Sequence, residues 1–261
     1  MGLEDIAHKQ LGGLFVQVLD QAPVVLMAQA AGFDFLFFDG EHGDIDRSRL
    51  SSVMLLGNSL GIPSIVRAPQ LARADVSRML DLGASGVMVP MVETAAQARQ
   101  LVQWAKYPPV GARSYSGGAH TGYGPSGHHA QNMSRANVST LAIAQIETVE
   151  GVRNVRDILA VPGLDAAIVG PCDLAISMGR PDDVGCPEEL ALIDEVQAAC
   201  AAADKGFGII GGNALLARYA GNINLMVSAI DTHILRGALA GAASEYQKIR
   251  AQAKWQPCDR R

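Results

Sequence analysis

Residues 141–179 read LAIAQIETVEGVRNVRDILAVPGLDAAIVGPCDLAISMG and contain a strand, a helix and the strand that follows. The apolar run Leu141–Ile146 predicts a strand, and the amphipathic pattern of Val149–Leu159 predicts the helix that follows it. Gly163 is a residue that readily ends a helix, and Ala166–Val169 predicts the second strand. Strands and helices that alternate in this way are typical of proteins built on a parallel sheet.

The same alternation covers the rest of the chain. The other predicted strands are Gly13–Val18, Phe33–Phe38, Ser64–Arg67, Gly86–Val89, Gly208–Ile210 and Leu225–Ser228. The other predicted helices are Pro23–Ala31, Arg47–Ser59, Ala74–Leu82, Ala95–Tyr107, Pro187–Ala203, Ala214–Tyr219 and His233–Ala253. Eight strands and eight helices in strict alternation predict an α/β protein, a (β/α)8 TIM barrel that forms a single domain over residues 1–261. A doubly wound open sheet remains the alternative, because a sequence does not show whether a sheet closes.

The composition argues against several classes of protein. With 49% hydrophobic and 18% charged residues, the 261-residue chain can form a large core, and general disorder is not expected. A formal net charge of −5 without clustered Lys or Arg argues against nucleic-acid binding. The scattered cysteines form no CxxC pair, so neither a zinc site nor a disulfide framework is expected. The sequence shows no signal-peptide pattern and no apolar run of membrane length, so we expect a cytoplasmic protein.

Polar residues follow most of the predicted strands. Because the active sites of parallel barrels lie at the carboxyl ends of the strands, these residues are candidates for a functional site. They are Asp39, Gly40, Glu41 and His42 after the second strand, Arg67 in the third, Gln145 and Glu147 at the fifth, Gly170, Pro171, Cys172 and Asp173 after the sixth, Gly211 and Gly212 after the seventh, and Asp231 after the eighth. Acids, a histidine and an arginine are therefore expected at one end of an otherwise apolar barrel.

Glu147 and Asp173 follow adjacent strands, so that their carboxylates can converge on one cation. Two carboxylates with open positions beside them suit Mg²⁺ or Mn²⁺, which keep water ligands and accept substrate oxygens. Each acid also precedes or begins a predicted helix, where a carboxylate is stabilising without any metal. Position alone leaves both interpretations open.

Arg67 and His42 are candidates for substrate binding and proton transfer. Arg67 could clamp a carboxylate through two parallel hydrogen bonds, or it could form a structural ion pair with Asp39. A histidine can act as a general base near neutral pH, although a histidine in a loop, such as His42, is also commonly only solvated.

The positions of the lysines favour a metal over a Schiff base. Aldolases of the Schiff-base type need a lysine that projects into the barrel from a strand. All five lysines lie outside the predicted strands, at Lys9, Lys106, Lys205, Lys248 and Lys254. For a barrel that acts on a carbonyl compound, an enolate stabilised by a metal ion is therefore the better mechanism.

Six segments spread over most of the chain carry a family resemblance. They are GFDFLFFDGEHGDID (32–46), IVRAP (65–69), LDLGASGVMVPMVETAAQAR (80–99), YPPVGARS (107–114), AQIETVEGVRNV (144–155) and GLDAAIVGPCDLAISMG (163–179). Their content and order resemble the HpcH/HpaI aldolase and citrate lyase superfamily, and in particular its pyruvate aldolases of the 4-hydroxy-2-oxoheptanedioate aldolase kind. The DGEH, QIET and GPxDL motifs are together specific to this family.

The resemblance implies a class II, metal-dependent lyase that cleaves or forms 4-hydroxy-2-oxoacids from pyruvate and an aldehyde. It implies that Glu147 and Asp173 bind the divalent cation, which is Mg²⁺ or Mn²⁺, with Co²⁺ a further candidate. It also implies that Arg67 and Gln145 contact the 2-oxoacid.

The resemblance assigns roles to further positions. The backbone of Gly170, Pro171 and Cys172 is implied to bind the pyruvate carboxylate, and His42 to move a proton. Asp81 is implied to reach that histidine from a neighbouring subunit, in a homohexamer whose C-terminal helices are exchanged between partners.

The sequence leaves the aldehyde partner open, and it leaves two alternative functions. Residues 115–130, YSGGAHTGYGPSGHHA, depart from the family pattern, so the resemblance specifies pyruvate but not the aldehyde. A lyase of the same superfamily acting on citryl- or malyl-CoA thioesters is an alternative, although the few lysines argue against the basic groove that CoA phosphates need. A non-catalytic 2-oxoacid-binding protein is a further alternative.

Overall fold

The computed structural model describes residues 6–124 and 128–252. Its strands are Leu11–Val16 (β1), Phe35–Asp39 (β2), Ser64–Arg67 (β3), Gly86–Val89 (β4), Leu141–Ile146 (β5), Ala166–Val169 (β6), Gly206–Ile210 (β7) and Leu225–Ile230 (β8). Each strand pairs in parallel with the next, and β8 pairs in parallel with β1. The sheet therefore closes into the predicted (β/α)8 barrel, and the open sheet is excluded.

Strands β3, β4, β5 and β6 have the predicted bounds, and the other four differ from the prediction by one or two residues at their ends. Gly13–Val18 was expected to form the first strand, but the strand begins at Leu11, which is paired with Leu225 of β8. It ends at Val16 because the backbone amides of the next residues bond to a side chain instead of to a neighbouring strand.

The helices follow the strands around the outside of the barrel. They are Pro23–Ala31 (α1), Arg47–Ser59 (α2), Arg73–Asp81 (α3), Ala95–Ala105 (α4), His129–Ser139 (α5), Val149–Arg153 (α6), Val155–Leu159 (α7), Pro171–Ser177 (α8), Pro187–Ala202 (α9), Asn213–Arg218 (α10) and Asp231–Gln252 (α11). None of these helices is both long and apolar enough to cross a lipid bilayer.

Three features of the helices differ from the prediction. The helix expected over Val149–Leu159 is divided at Asn154 into α6 and α7. Helix α5, whose sequence HAQNMSRANVS is largely polar and which buries no side chain, was not predicted. Helix α8 was not predicted either, since its seven residues are too few to show a periodic pattern. The last residue of the helix expected over His233–Ala253 lies outside the described residues.

Side chains alternate between the inside and the outside of the barrel along each strand. Phe35, Phe37, Ile65 and Ile143 belong to the interior cluster, whereas their sequence neighbours pack against the helices. At Gly13, any Cβ atom would overlap the ring of Phe35, so glycine is required to make room for this interior aromatic. The same alternation carries on to the carboxyl ends of the strands and decides which polar side chains point inward there.

Helix α11 lies almost entirely outside the core. Only Asp231, its first residue, is buried, and its large apolar side chains, including Ile234, Leu239 and Ile249, are exposed. The exchange of this helix between subunits, which the family resemblance implies, remains a prediction.

Asp231 joins the end of β8 to the loop after β1. Its carboxylate accepts hydrogen bonds from the backbone amides of Gln17, Val18 and Leu19, at 3.0, 2.9 and 2.9 Å. Asp231→Ala leaves three amide groups without an acceptor, at a cost of about 1 kcal/mol or more each. We expect the free energy of unfolding, measured by urea denaturation, to fall by about 3 kcal/mol.

Glu245→Ala is the matched control, because it removes an acid from the exposed part of the same helix. Among the residues that the structure describes, Glu245 is paired with Lys248 alone, at the surface, and this change should cost less than about 0.5 kcal/mol. Equal losses in the two variants would contradict the role of Asp231 in joining the end of β8 to the loop after β1.

Candidate active site

The mouth of the barrel is formed by the carboxyl ends of the strands and the loops that follow them. Asp39 and Arg67 are aligned as neighbours across the pair β2–β3, and Gln145 lies in β5 opposite Ile168 of β6. Counted along their strands, all three residues share the inward side with the apolar interior cluster. They therefore form the last layer of the barrel interior, where apolar side chains give way to polar ones.

Glu147 follows β5 directly and is only 2% exposed. Its Oε1 atom accepts a hydrogen bond of 2.8 Å from the backbone amide of Met91, and its Oε2 atom accepts one from the side-chain amide of Gln145. Burial raises the pKa of this carboxyl to about 7, and the nearby charges of Asp173 and Glu41 add to the rise against the opposing effects of Met91 and Arg67. The site therefore holds a carboxylate whose charge is poorly compensated by the protein.

Gly170, at the end of β6, packs directly against this carboxylate. A Cβ atom at position 170 would lie 2.6 Å from Oε2 of Glu147 and 2.8 Å from Nε2 of Gln145. Any other residue would displace one of these two side chains, so the close approach requires glycine. Gly170 thus fixes the position of the buried acid.

The segment after β6 begins helix α8. Asp173 lies in the first turn of this helix, is exposed, and is close enough to raise the pKa of Glu147 by its charge. Pro171 has no amide hydrogen and the amide of Gly170 is directed at the carbonyl of Ile146, at 3.4 Å. Among the three positions expected to bind a carboxylate, this leaves the amide of Cys172 best placed to do so.

The Cys172 side chain is not an activated nucleophile. Burial, followed by the charges of Asp173 and Glu189, raises the pKa of its thiol. A raised pKa disfavours the thiolate, which is the reactive form.

Arg67 is held on one side by the fully buried Asp39. Its Nε and Nη2 atoms both lie 2.8 Å from Oδ1 of Asp39. Burial alone would raise the pKa of Asp39, but the hydrogen bonds and charge of Arg67, with further donors from Gln17 and His42, lower it. The structural ion pair considered for Arg67 is therefore present, and it fixes the guanidinium at the mouth.

Glu41 and His42 complete the mouth. Nη1 of Arg67 lies 3.0 Å from Oε2 of Glu41, whose pKa is raised, chiefly by burial. The His42 side chain is 65% exposed, and its Nε2 atom lies 3.9 Å from Oε1 of Glu41. The backbone amide of His42 is bonded to Asp39, which holds the loop while leaving the ring accessible to a substrate.

The HpcH/HpaI aldolase/citrate lyase family matches residues 12–212, from β1 to beyond the end of β7. The chain belongs to this family. It is 34% identical to the hydroxypyruvate/pyruvate aldolase of Pseudomonas aeruginosa, over 90% of this chain and 88% of that protein. It is 30% identical to the 2-keto-3-deoxy-L-rhamnonate aldolase of Salmonella paratyphi B, over 86% of this chain and 85% of that protein.

A solved structure supports the same assignment. The HpcH/HpaI aldolase from Desulfitobacterium hafniense DCB-2 has a TM-score of 0.86 and 28% sequence identity, covering 95% of this chain and 96% of that one. In keeping with the family and its named aldolases, the chain is a carbon–carbon lyase, as the sequence predicted.

The structure brings most of the predicted site residues together and leaves one apart. Arg67, Gln145, Glu147 and the segment from Gly170 to Asp173 meet at the mouth, beside His42. Asp81 ends α3, just before β4 begins, and so lies at the opposite end of the barrel. There it pairs with Arg113 at 2.6 Å, and its side chain is 42% exposed.

Two contributors to the site were not singled out from the sequence. Met91 adopts a left-handed backbone conformation, with φ of 56°, and its amide donates to Glu147. Nothing in the sequence VPMV marks this turn, because the conformation usually signals glycine or asparagine. Glu41 was noted only for its position after β2, and its pairing with Arg67 depends on the register of β2 and β3.

The buried Glu147 predicts a pH-dependent stability in the absence of divalent cations. Because the native pKa is raised to about 7 from 4.5, the native state favours the protonated acid, and its contribution is lost as the pH rises through 7. Between pH 5 and 7.5 we expect this contribution to the free energy of unfolding to fall by about 2 kcal/mol. Urea denaturation of the wild type and of Glu147→Gln, with chelator present, measures the difference.

The glutamine variant cannot ionise, so it should lack this part of the pH dependence. The same loss of stability in both proteins would show that another group is responsible.

Proposed function

We propose that this chain is a metal-dependent aldolase that cleaves or forms 4-hydroxy-2-oxoacids, with pyruvate and an aldehyde as the smaller partners. The observation that carries the proposal is the carboxylate of Glu147. It is buried at the mouth, and its hydrogen bonds within the described residues come only from uncharged amides. A carboxylate in this position is stabilised by a cation, and Asp173 stands beside it as a second oxygen ligand.

The residues at the mouth fit Mg²⁺ or Mn²⁺, with Co²⁺ a further candidate. Carboxylate oxygens suit these hard cations, which are commonly held by one or two carboxylates with water and substrate oxygens completing the shell. No group of three or more His, Cys, Asp or Glu ligands occurs within residues 6–124 and 128–252, so a cage made only of such side chains is not present there. The side-chain oxygen of Gln145 is also buried without a partner beside Glu147, which adds a polar oxygen to the site.

A divalent cation, when bound, supplies Lewis-acid stabilisation of negative charge on the 2-oxo oxygen. Arg67, fixed by Asp39, adds a permanent positive charge that binds the same anionic end of the substrate. The amide of Cys172 donates to the substrate carboxylate at the start of α8.

In the cleavage direction, Nε2 of His42 accepts the proton of the C4 hydroxyl group. The C3–C4 bond then breaks, the aldehyde leaves, and the electron pair is delocalised from C3 onto the 2-oxo oxygen next to Arg67. Return to C3 of the proton that His42 accepted, directly or through water, gives pyruvate and restores the neutral imidazole. The exposed ring of His42 is compatible with this role, because the acceptor half of the substrate must reach the mouth from solvent.

The lysines support this mechanism over a Schiff base. Lys106 is buried at the opposite end of the barrel, where it pairs with Asp165 at 2.9 Å. Lys9 and Lys205 immediately precede β1 and β7, and Lys248 lies on the exposed part of α11. Among the lysines that the structure describes, none lies at the mouth.

We further propose that Asp81 acts on the His42 of a neighbouring subunit in a homohexamer. The support is its place at the far end of the barrel, with a side chain that is partly exposed beside Arg113. Within one chain this carboxylate does not reach the mouth.

The exchange of the pyruvate methyl protons in D₂O tests the proposal. We expect exchange that requires a divalent cation and that is lost in Glu147→Gln, together with a fall of more than about tenfold in Mn²⁺ affinity measured by electron paramagnetic resonance. Glu150→Gln, an exposed acid three residues further on, should retain both. Exchange that survives a chelator, or a pyruvate adduct trapped by borohydride, would contradict the proposal. Cleavage of a CoA thioester in its place would favour the CoA-lyase alternative.

Gly170→Ala provides an independent test of the metal site. Its methyl group must displace Glu147 or Gln145, so we expect Mn²⁺ affinity to fall about 10- to 100-fold. Gly212→Ala is the control at the same mouth, because a Cβ atom there meets nothing within 4 Å. Equal Mn²⁺ affinity in the two variants would remove Gly170, and the carboxylate it positions, from the metal site.

A further inference from the structure

The two acids that hold Arg67 differ in how firmly they are held themselves. Asp39 is fully buried and accepts hydrogen bonds from Gln17 and from the backbone amides of Glu41 and His42, in addition to Arg67. Removing Asp39 from the guanidinium would break this whole set of bonds. The edge of Arg67 formed by Nε and Nη2 is therefore permanently occupied.

Glu41 has far fewer restraints. Within the described residues its carboxylate contacts only Nη1 of Arg67, at 3.0 Å, and the exposed ring of His42, at 3.9 Å. Its side chain is 20% exposed and lies at the surface of the mouth. The negative charges of Asp39, Asp173 and Glu147 repel the Glu41 carboxylate. Glu41 is therefore released from Arg67 more readily than Asp39 is.

The guanidinium of Arg67 and the Glu41 carboxylate lie near the candidate metal ligands. Glu147 and Asp173 act electrostatically on Glu41, and Arg67 acts on Glu147, so these groups share one small region. The ring of Phe15 lies 5.6 Å from the guanidinium carbon and restricts its movement. With Nε and Nη2 engaged by Asp39, Nη1 is the nitrogen that Asp39 leaves to an anionic substrate, and Glu41 already makes one contact with it.

We propose that Glu41 is a displaceable partner of Arg67, which holds Nη1 until an oxygen of an anionic 2-oxoacid replaces it. Glu41 then tunes substrate affinity, because the substrate competes with the Glu41 carboxylate for Nη1 of Arg67. The inference rests on the proposed function in one respect, namely that a 2-oxoacid binds beside Arg67.

The competition predicts that removing the charge of Glu41 strengthens binding. Glu41→Gln keeps a side-chain oxygen of the same reach but not the ionic attraction, and Glu41→Ala removes the contact. The probe is oxamate, an unreactive monoanion with the shape of pyruvate, titrated by calorimetry at a saturating concentration of Mg²⁺. We expect its dissociation constant to fall about fivefold in both variants, which is the size expected for one partly exposed ion pair.

Asp44→Asn is the matched control. Asp44 is exposed on the same loop, and its substitution changes the net charge equally without touching Arg67. We expect the dissociation constant of oxamate to stay within about twofold of wild type, since a solvated charge has little effect at a distance. An equal gain in Asp44→Asn would show a general effect of charge and would overturn the proposal.

The remaining outcomes are also decisive. Unchanged or weaker oxamate binding in the Glu41 variants, or no oxamate binding by any of the proteins, would overturn the displacement of Glu41. Failure of the proposed function appears in a different measurement, the absence of pyruvate proton exchange in the wild type. Stronger oxamate binding in the variants without such exchange would leave Glu41 as a competitor at an anion site and reject only the aldolase chemistry.

Discussion

A closed parallel sheet sends every second side chain into the barrel, and this constraint decides the chemistry at its mouth. The interior positions of β2, β3 and β5 are filled by Phe37, Ile65 and Ile143, and the next inward positions are Asp39, Arg67 and Gln145. No loop has to fold back to deliver these polar groups. They are held by the same hydrogen-bonded register that closes the barrel, and the aligned pair Asp39 and Arg67 shows this directly.

The mouth gathers more acidic than basic groups. Asp39, Glu41, Glu147 and Asp173 lie near a single arginine, and the raised pKa values of Glu41 and Glu147 express the cost of keeping them ionised. The pKa of Asp39 is lowered instead, because its hydrogen bonds and the charge of Arg67 outweigh its burial. This excess of negative charge favours a divalent cation. Such an ion carries more positive charge than a further arginine would, and it offers open coordination positions for substrate oxygens.

The sequence predicted the barrel and most of the mouth for a physical reason. The order of the strands is visible as apolar runs, each followed by polar residues, so Glu147, Asp173 and Arg67 could be found without coordinates. The left-handed turn at Met91 and the pairing of Glu41 with Arg67 could not, because they depend on local dihedral angles and on contact between separate loops. Helix α5, whose sequence is largely polar, was missed, and the division at Asn154 leaves no break in the apolar pattern.

The long exposed helix α11 affects what a measured melting temperature means for this chain. In proteins most of the stability of a helix comes from packing, and the hydrogen bonds that hold α11 to the loop after β1 come from its first two residues, Asp231 and Thr232. Its apolar side chains are therefore stabilising only when another surface covers them. If other copies of the chain provide that surface, the order of this helix becomes a function of protein concentration, and a melting temperature has meaning only when the concentration is stated with it.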